Sequence, residues 1–376
     1  MAGIYIHIPF CRKACNYCNF HFSTSFATKQ KFIKALLQEI KSQQLFITPV
    51  PIIETIYFGG GTPSVLAIDE LNEIISAVKD SFEVSANAEI TLEANPDDIN
   101  PQILEAWLAI GINRLSVGLQ SLNDNELSWM NRAHNATQSL EAMVQIKAAG
   151  FSNFSVDLIF GSPLQTMDIL EHNLKTIFSL KVPHISCYAL TVEPKTALHH
   201  NILFKKGNDI DTDVQAAQYD FIVQKCIEAG YEQYEISSFA LPECRSRHNS
   251  SYWEVKPYYG FGPSAHGFNG VNVRRWNVAN NALYIAGINA GNLVHEQEEL
   301  TKTQILNEYI MLALRTTDGI QINKLKEDFG DDAAAAIIKT CLPYIETNRI
   351  TVTDNTIALT ASGKFLADGI AAALFQ

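Results

Sequence analysis

Short β-rich runs alternate with longer amphipathic patterns over roughly the first 230 residues, and no other feature of the chain restricts its fold as much. The strand candidates are Ile4–Ile8, Thr55–Phe58, Glu89–Leu92, Arg114–Gly118, Phe154–Phe160 and His184–Leu190. Segments with helical spacing lie between them. In "KQKFIKALLQEIKSQ", Phe32, Leu36 and Ile40 share one face and charges lie opposite. Gly111, Gly150 and Gly230 end three of these segments, where a chain leaving a helix turns left-handed, and Pro101 opens another. Repeated strand–helix units give a parallel sheet, because a parallel return needs a crossover long enough to hold a helix. Two architectures remain open on this rhythm alone: an open doubly wound sheet, or a complete or partial barrel.

The rhythm stops near residue 240. "SSFALPECRSRHNSSYWEVKPYYGFGPSAHGF" is rich in Gly, Pro, Ser and aromatics and reads as long loops around short strands. From residue 300, three helical patterns precede the short runs "RITVT" and "TIALT" and a last helix, the order of a winged-helix-like domain. The expected division is therefore 1–240, a connecting region 241–299, and 300–376. Hydrophobic residues make up 47% and charged residues 18%, enough apolar material to bury a core. The net charge of −12 lacks the basic face that nucleic acid requires, so the C-terminal domain is expected to pack or to bind protein rather than DNA. No apolar run reaches the length of about 18 residues that spans a bilayer. The opening "MAGIYIHIPF" lacks the basic start of a secretory leader. A cytoplasmic location, where thiols stay reduced, is expected.

The cysteine count of seven is odd, which with a reducing compartment disfavours a disulfide framework. Cys11, Cys15 and Cys18 crowd into eight residues just after the first strand. Three thiolates on such a loop can hold three corners of a 4Fe–4S cluster and leave one iron open. His21 keeps a closed Cys3His zinc site as the alternative. Cys187, Cys226 and Cys341 fall in strand or helix patterns and read as core. In "YFGGGTPS", Gly59, Gly60 and Gly61 either let a ligand approach the backbone or form a tight strand-to-helix turn. Glu93, Gln120 and Asp157 stand in or at the ends of predicted strands, and Arg132 lies in "MNRAHN". Parallel α/β architectures bind ligands beyond the carboxyl ends of their strands. A carboxylate paired with Arg132 there suits a zwitterion, one group for an ammonium and the other for a carboxylate.

Taken together, these residues resemble the radical S-adenosylmethionine (SAM) superfamily, through the three-cysteine loop with Tyr17 before Cys18 and the "GGGTP" turn after the next strand. "IYIHIPFC", "GGGTPS", "GLQS", "DLIFGSP" and "GFGPSAHGF" extend the resemblance to the oxygen-independent coproporphyrinogen III oxidase group, over nearly the whole chain. The resemblance implies an α/β fold, a partial (β/α)6 TIM-type barrel with a C-terminal helical or winged-helix-like domain. It further implies that Cys11, Cys15 and Cys18 ligate a 4Fe–4S cluster whose open iron SAM chelates. Gly60, Gly61 and Glu93 would receive the methionyl ammonium, and Arg132 the carboxylate. Gln120 and Asp157 would bond the ribose hydroxyls. Tyr5 would lie close to the cofactor, Thr62 would complete the glycine turn, and Ala189 would lie near the adenine.

Two departures separate the chain from the oxidase itself. The oxidase has a further cysteine two residues after the third ligand, where Phe20 stands here, and an extension before its first strand, where this chain has four residues before Tyr5. Both features, and "HNSSYW" as an HNxxYW signature, are similar to the HemW-type haem chaperones. The expected function is a haem-binding chaperone that holds the cluster and SAM and passes haem to acceptor haemoproteins. The alternative is an oxidase-type radical enzyme of porphyrin biosynthesis. On the chaperone reading His248 offers haem iron an imidazole, and Tyr252 and Trp253 offer the macrocycle flat faces. The competing reading of His248 is a buried structural histidine beside aromatic core. Cys244 and His266 are further conceivable ligands. The acceptor, the fate of SAM and the existence of a homodimer stay open.

Overall fold

A computed structural model describes residues 1–204, 209–292 and 294–376. All six expected strands form, as β1 (Ala2–Ile8), β2 (Ile53–Gly60), β3 (Val84–Ala94), β4 (Arg114–Gln120), β5 (Phe154–Phe160) and β6 (His184–Ala189). They pair in parallel and in chain order. Helices connect them, and the strands carry apolar side chains on both faces, as parallel strands covered on both sides do. Ile4, Ile6 and Ile8 of β1 are wholly buried. The helix Lys29–Ser42 buries Phe32, Leu36 and Ile40, the face its spacing predicted. Pro101 opens the next-but-one helix, with Asn100 capping it by accepting the Ile103 N–H.

The sheet does not close into a ring. Past β6 it continues through β8 (Ser238–Ala240) to β7 (Glu232–Gln233), both antiparallel. Past β1 it continues through β9 (Tyr258–Phe261), parallel to β1, then β10 (His266–Phe268), β11 (Val273–Asn277) and β12 (His295–Glu299). The six parallel strands thus make a partial barrel, and the free edge at β12 carries the sequence "HEQEE", largely in solvent.

This arrangement corrects the expectation that 241–299 is a connecting region. Tyr259, Phe261, Tyr284 and Ile285 belong to the same core as β1–β6. Glu39, on the first helix, accepts from Gly262 N–H at 2.8 Å, Asn277 Nδ2 at 2.6 Å and the Tyr284 hydroxyl at 2.6 Å, so this stretch is bonded into the barrel. β9, flanked by Gly and Pro, looks like loop because its pairing partner, β1, lies more than two hundred residues away in sequence. "HNSSYW" likewise lies in a short helix, Arg247–Trp253, with Ser246 as its cap.

The C-terminal unit has the expected winged-helix-like order. Helices Lys302–Leu314, Ile322–Phe329 and Asp331–Glu346 accompany β13 (Ile320–Gln321), β14 (Ile350–Val352) and β15 (Thr356–Leu359), in sheet order β13–β15–β14. Its core, with Ile310, Leu325, Ile337, Ile350 and Ile357, is separate from that of the barrel. Ile236 packs against both. The seam is stitched by Ile236 N–H to the Arg315 carbonyl at 3.0 Å and Thr317 N–H to the Tyr234 carbonyl at 3.2 Å. Among the described residues no helix is long and apolar enough to cross a membrane.

Candidate functional site

A cleft of about 720 Å³ opens beyond the carboxyl ends of the parallel strands. One wall is the cysteine loop that follows β1. Three side-chain bonds hold this loop against the segment after β4: Asn16 Nδ2 to the Trp129 carbonyl at 2.6 Å, Asn131 Nδ2 to the Ala14 carbonyl at 2.7 Å, and Lys13 Nζ to the Arg132 carbonyl at 3.1 Å. All three thiols of the loop, Cys11, Cys15 and Cys18, line the cleft. Burial pushes the Cys11 thiol up to about 11, with the Thr62 hydroxyl, which donates to its sulfur at 3.4 Å, working the other way. His21, the fourth ligand of the zinc alternative, points elsewhere and bonds Asn281 Oδ1 at 2.7 Å through Nε2.

The glycine turn after β2 is built for close approach. Gly61 N–H donates to the Ile8 carbonyl at 2.9 Å and Thr62 N–H to the Phe10 carbonyl at 2.8 Å, which ties the turn to the backbone entering the cysteine loop. A Cβ on Gly61 would lie 2.7 Å from the Phe10 carbonyl oxygen. Gly60 has φ +109°, a left-handed conformation that suits glycine, and a Cβ there would lie 2.6 Å from the His7 ring. That ring is fixed. Its Nε2 donates to the His21 carbonyl at 2.8 Å, leaving Nδ1 to accept from the Tyr5 hydroxyl at 3.3 Å. Burial lowers its pKa to about 4, so it is neutral.

Glu93, on β3, enters the cleft with its Oε1 accepting from the Tyr57 hydroxyl at 2.8 Å. Burial pushes its carboxyl up to about 7; the Tyr57 and Gly60 hydrogen bonds oppose this and the Asp157 charge adds to it. Asp157, on β5, is raised to about 6, again mainly by burial, with hydrogen bonds from Ser186 and Ser116 opposing. Arg132 lies in the same cleft, but its Nη2 is committed to Asn95 Oδ1 and the Gly118 carbonyl, each at 2.8 Å, and its Nη1 to the Cys15 sulfur at 3.2 Å. Its Nε is buried and, among the described residues, has no hydrogen-bond partner. Gln120 reaches the cleft because β4 breaks register between Gly118 and Gln120, and Gln120 takes φ 67°, a strained value for a residue with a side chain. The result is a buried acidic pair with raised pKa values and an arginine in one pocket. A cation in this pocket would favour the ionised carboxylates, and an anion would be drawn to the guanidinium charge.

Of the residues expected around SAM, Gly60, Gly61, Thr62, Glu93, Gln120, Arg132, Asp157 and Ala189 all line this cleft. Tyr5 stands one layer behind, its ring stacked on Tyr57 at 6.1 Å. Sequence reasoning did not single out Tyr57 or Asn95, which hold Glu93 and Arg132 respectively. Asn95 had a signal, the Asn–Pro step directly after the strand that carries Glu93. Tyr57 had none beyond its place in a strand.

The residues expected around haem sit differently. His248 is 1% exposed, and both ring nitrogens are engaged, Nδ1 with the Thr55 hydroxyl at 2.7 Å and Nε2 with the Tyr252 hydroxyl at 2.9 Å. Its ring stacks on Tyr57 at 5.0 Å. Its backbone N–H donates to Glu89 Oε1 at 3.1 Å, and Glu89 Oε2 lies 4.0 Å from Nε of the buried Arg114. In this structure an iron bond to His248 would require one of those side-chain bonds to break. The buried structural histidine matches this geometry. Trp253 does not line the cleft; the Arg315 guanidinium lies over its ring at 5.8 Å. His266 is exposed on β10, stacked on Trp276 at 5.9 Å.

The chain matches the Radical SAM superfamily over residues 5–177 and the HemN C-terminal domain over residues 300–366. It is 33% identical over 374 residues to the heme chaperone HemW of Bacillus subtilis, with 98% of each chain covered. It is 31% identical over 373 residues to the HemW of Mycobacterium tuberculosis H37Rv, covering 98% of this chain and 93% of that one. Its structure superposes on the Escherichia coli coproporphyrinogen III oxidase, a radical SAM enzyme, with a TM-score of 0.85 over 100% of this chain and 90% of the other, at 22% identity. The oxidase likeness shows a shared fold, and the end-to-end identity shows kinship: the chain belongs to the radical SAM superfamily and, within it, to the HemW group.

Proposed function

We propose that this protein is a haem-binding chaperone that carries a 4Fe–4S cluster and SAM and delivers haem to acceptor haemoproteins. The observation that carries the reading is the full-length identity to proteins named heme chaperones. Phe20 supports it: it is 68% exposed at the rim of the cleft, where the resembling oxidase has a cysteine.

Cys11, Cys15 and Cys18 line the cleft and would ligate the cluster, and the glycine turn packs tightly against the backbone that leads into their loop. Such a cluster, when bound, would supply an open iron at which SAM could chelate and a centre for one-electron chemistry. Glu93 takes the methionyl ammonium while Tyr57 fixes its carboxylate. Arg132 takes the carboxylate end, held in place by Asn95 and Gly118. Gln120 and Asp157 face the ribose, and Ala189 the adenine.

Anaerobic reconstitution is expected to give one 4Fe–4S cluster and SAM binding; a colourless preparation holding only zinc would contradict it. Haem added to that protein is expected to develop a Soret band. Coproporphyrinogen III should not be decarboxylated at a useful rate under reducing anaerobic conditions. Robust turnover would move the assignment to the oxidase. The Soret band of His248→Ala decides whether that ring ligates iron after opening its bonds to Thr55 and Tyr252.

A further inference from the structure

The cleft is larger than the pocket around Glu93, Asp157 and Arg132 at its inner end. Its outer part is walled by residues that the SAM reading does not use, several of them from the C-terminal unit. Tyr188, just before the end of β6, is 43% exposed, and Phe365, packed on Tyr219 with ring centroids 5.6 Å apart, is 37% exposed. Two cations accompany these rings. Lys364 is half-buried, and among the described residues its Nζ has one hydrogen-bond partner, the neutral Gln233 Oε1 at 2.7 Å. Burial lowers its pKa, as for an ammonium that lacks a countercharge. Arg315 bonds Asp368 Oδ1 at 2.5 Å, but that carboxylate side chain is 80% exposed and well solvated, so the pair is weakly held. Arg315 also lies over the face of Trp253, and its charge acts on the buried Glu235 carboxylate.

Exposed flat rings beside a half-buried unpaired ammonium and a loosely paired guanidinium match one kind of ligand. It is broad and apolar, so that it covers the rings. It also carries carboxylates, so that it neutralises the cations. We propose that the outer half of the cleft seats a tetrapyrrole, with Lys364 and Arg315 receiving its propionates and Tyr188 and Phe365 flanking the macrocycle. This assignment rests on the reading of haem as cargo. It gives Trp253 a positioning role, holding Arg315 rather than touching the ring. It also places cargo and SAM in one cleft, with the seam between barrel and C-terminal unit beside the cargo.

The test compares haem with haem dimethyl ester, whose propionates are masked, by absorbance titration of the anaerobic, cluster-loaded protein. Wild type is expected to prefer haem over the ester by about tenfold or more, as charge-assisted bonds to carboxylates imply. Lys364→Met and Arg315→Gln are each expected to lose most of that preference. Their affinity for the ester, their SAM affinity and their melting temperature should stay at wild-type values. Equal affinity of wild type for haem and ester would overturn the proposal, as would variants that keep the full preference. So would variants that lose haem and ester binding equally. Absence of haem binding by wild type would instead remove the cargo reading itself, and the seat with it.

Discussion

Glu93 is a carboxylate buried against a tyrosine hydroxyl and a second carboxylate, and its cost and its use are opposite in sign. Its folded pKa, raised to about 7 by burial, lies above the ordinary glutamate value of about 4.5. Ionised Glu93 therefore costs stability in the free protein, and that cost grows as pH rises from about 4.5 to about 7. Glu93→Gln is expected to raise the melting temperature at pH 8 while weakening SAM binding by roughly 10- to 100-fold, the range for a lost charge-assisted bond. Calorimetry and isothermal titration check the two halves separately. In the wild type, binding an ammonium draws on the ionised form, so SAM affinity should fall by up to about tenfold per pH unit below pH 7. A flat profile between pH 6 and 8 would place the ammonium elsewhere. His248 touches this site indirectly, through its stack on Tyr57. Burial, aided by the Arg114 charge, lowers its pKa to about 3, so it stays neutral and adds nothing to that profile. His248→Asn is expected to loosen Tyr57 and weaken SAM binding by roughly three- to tenfold, the scale of one neutral hydrogen bond or aromatic contact. Unchanged SAM affinity would confine His248 to packing.

The glycine turn and the cysteine loop act as one element, because Gly61 and Thr62 donate to the backbone just ahead of Cys11. Gly61→Ala would drive a methyl carbon to 2.7 Å from the Phe10 carbonyl oxygen, and backbone cannot swing away as a side-chain end can. The expected cost is about 1–3 kcal/mol of stability, together with reduced iron and sulfide content after reconstitution. Full cluster loading in that variant would show that the loop is positioned independently of the turn. Much of this element was legible in the sequence, because cysteine spacing and glycine runs are local signals. The partners that hold it were not. Asn16, Asn131 and Lys13 look like ordinary polar loop residues until β4 and its following segment are placed beside them. The same distinction explains the haem residues. "HNSSYW" is readable as a motif, but whether His248 faces a cleft or a tyrosine stack depends on where its helix lands, and that is set by Glu89 and Thr55, more than a hundred residues earlier in the chain.

At the scale of the whole chain, two hydrophobic cores are separate, and the units meet through Ile236, a few backbone bonds and side-chain contacts such as Phe365 on Tyr219, Lys364 with Gln233 and Arg274 with Glu308. Calorimetry of the protein without ligands is expected to resolve two transitions, with the smaller C-terminal unit melting independently of the barrel. One transition with equal calorimetric and van't Hoff enthalpies would show that the seam couples them fully. The alternation of strand and helix foretold the six parallel strands closely, since each unit is local. It could not foretell that β9–β12 return to lengthen the sheet beside β1, because pairing between distant strands leaves no periodic trace in either one. The outermost of those strands has a consequence for self-association. β12 places Glu296, Glu298 and Glu299 within a five-residue strand that, among the described residues, has no neighbour on its outer side. A second copy adding its own β12 there would set glutamates against glutamates across the ladder, in a chain already carrying a net charge of −12. The edge is an electrostatic full stop to the sheet, and two copies that associate will have to meet on some other face.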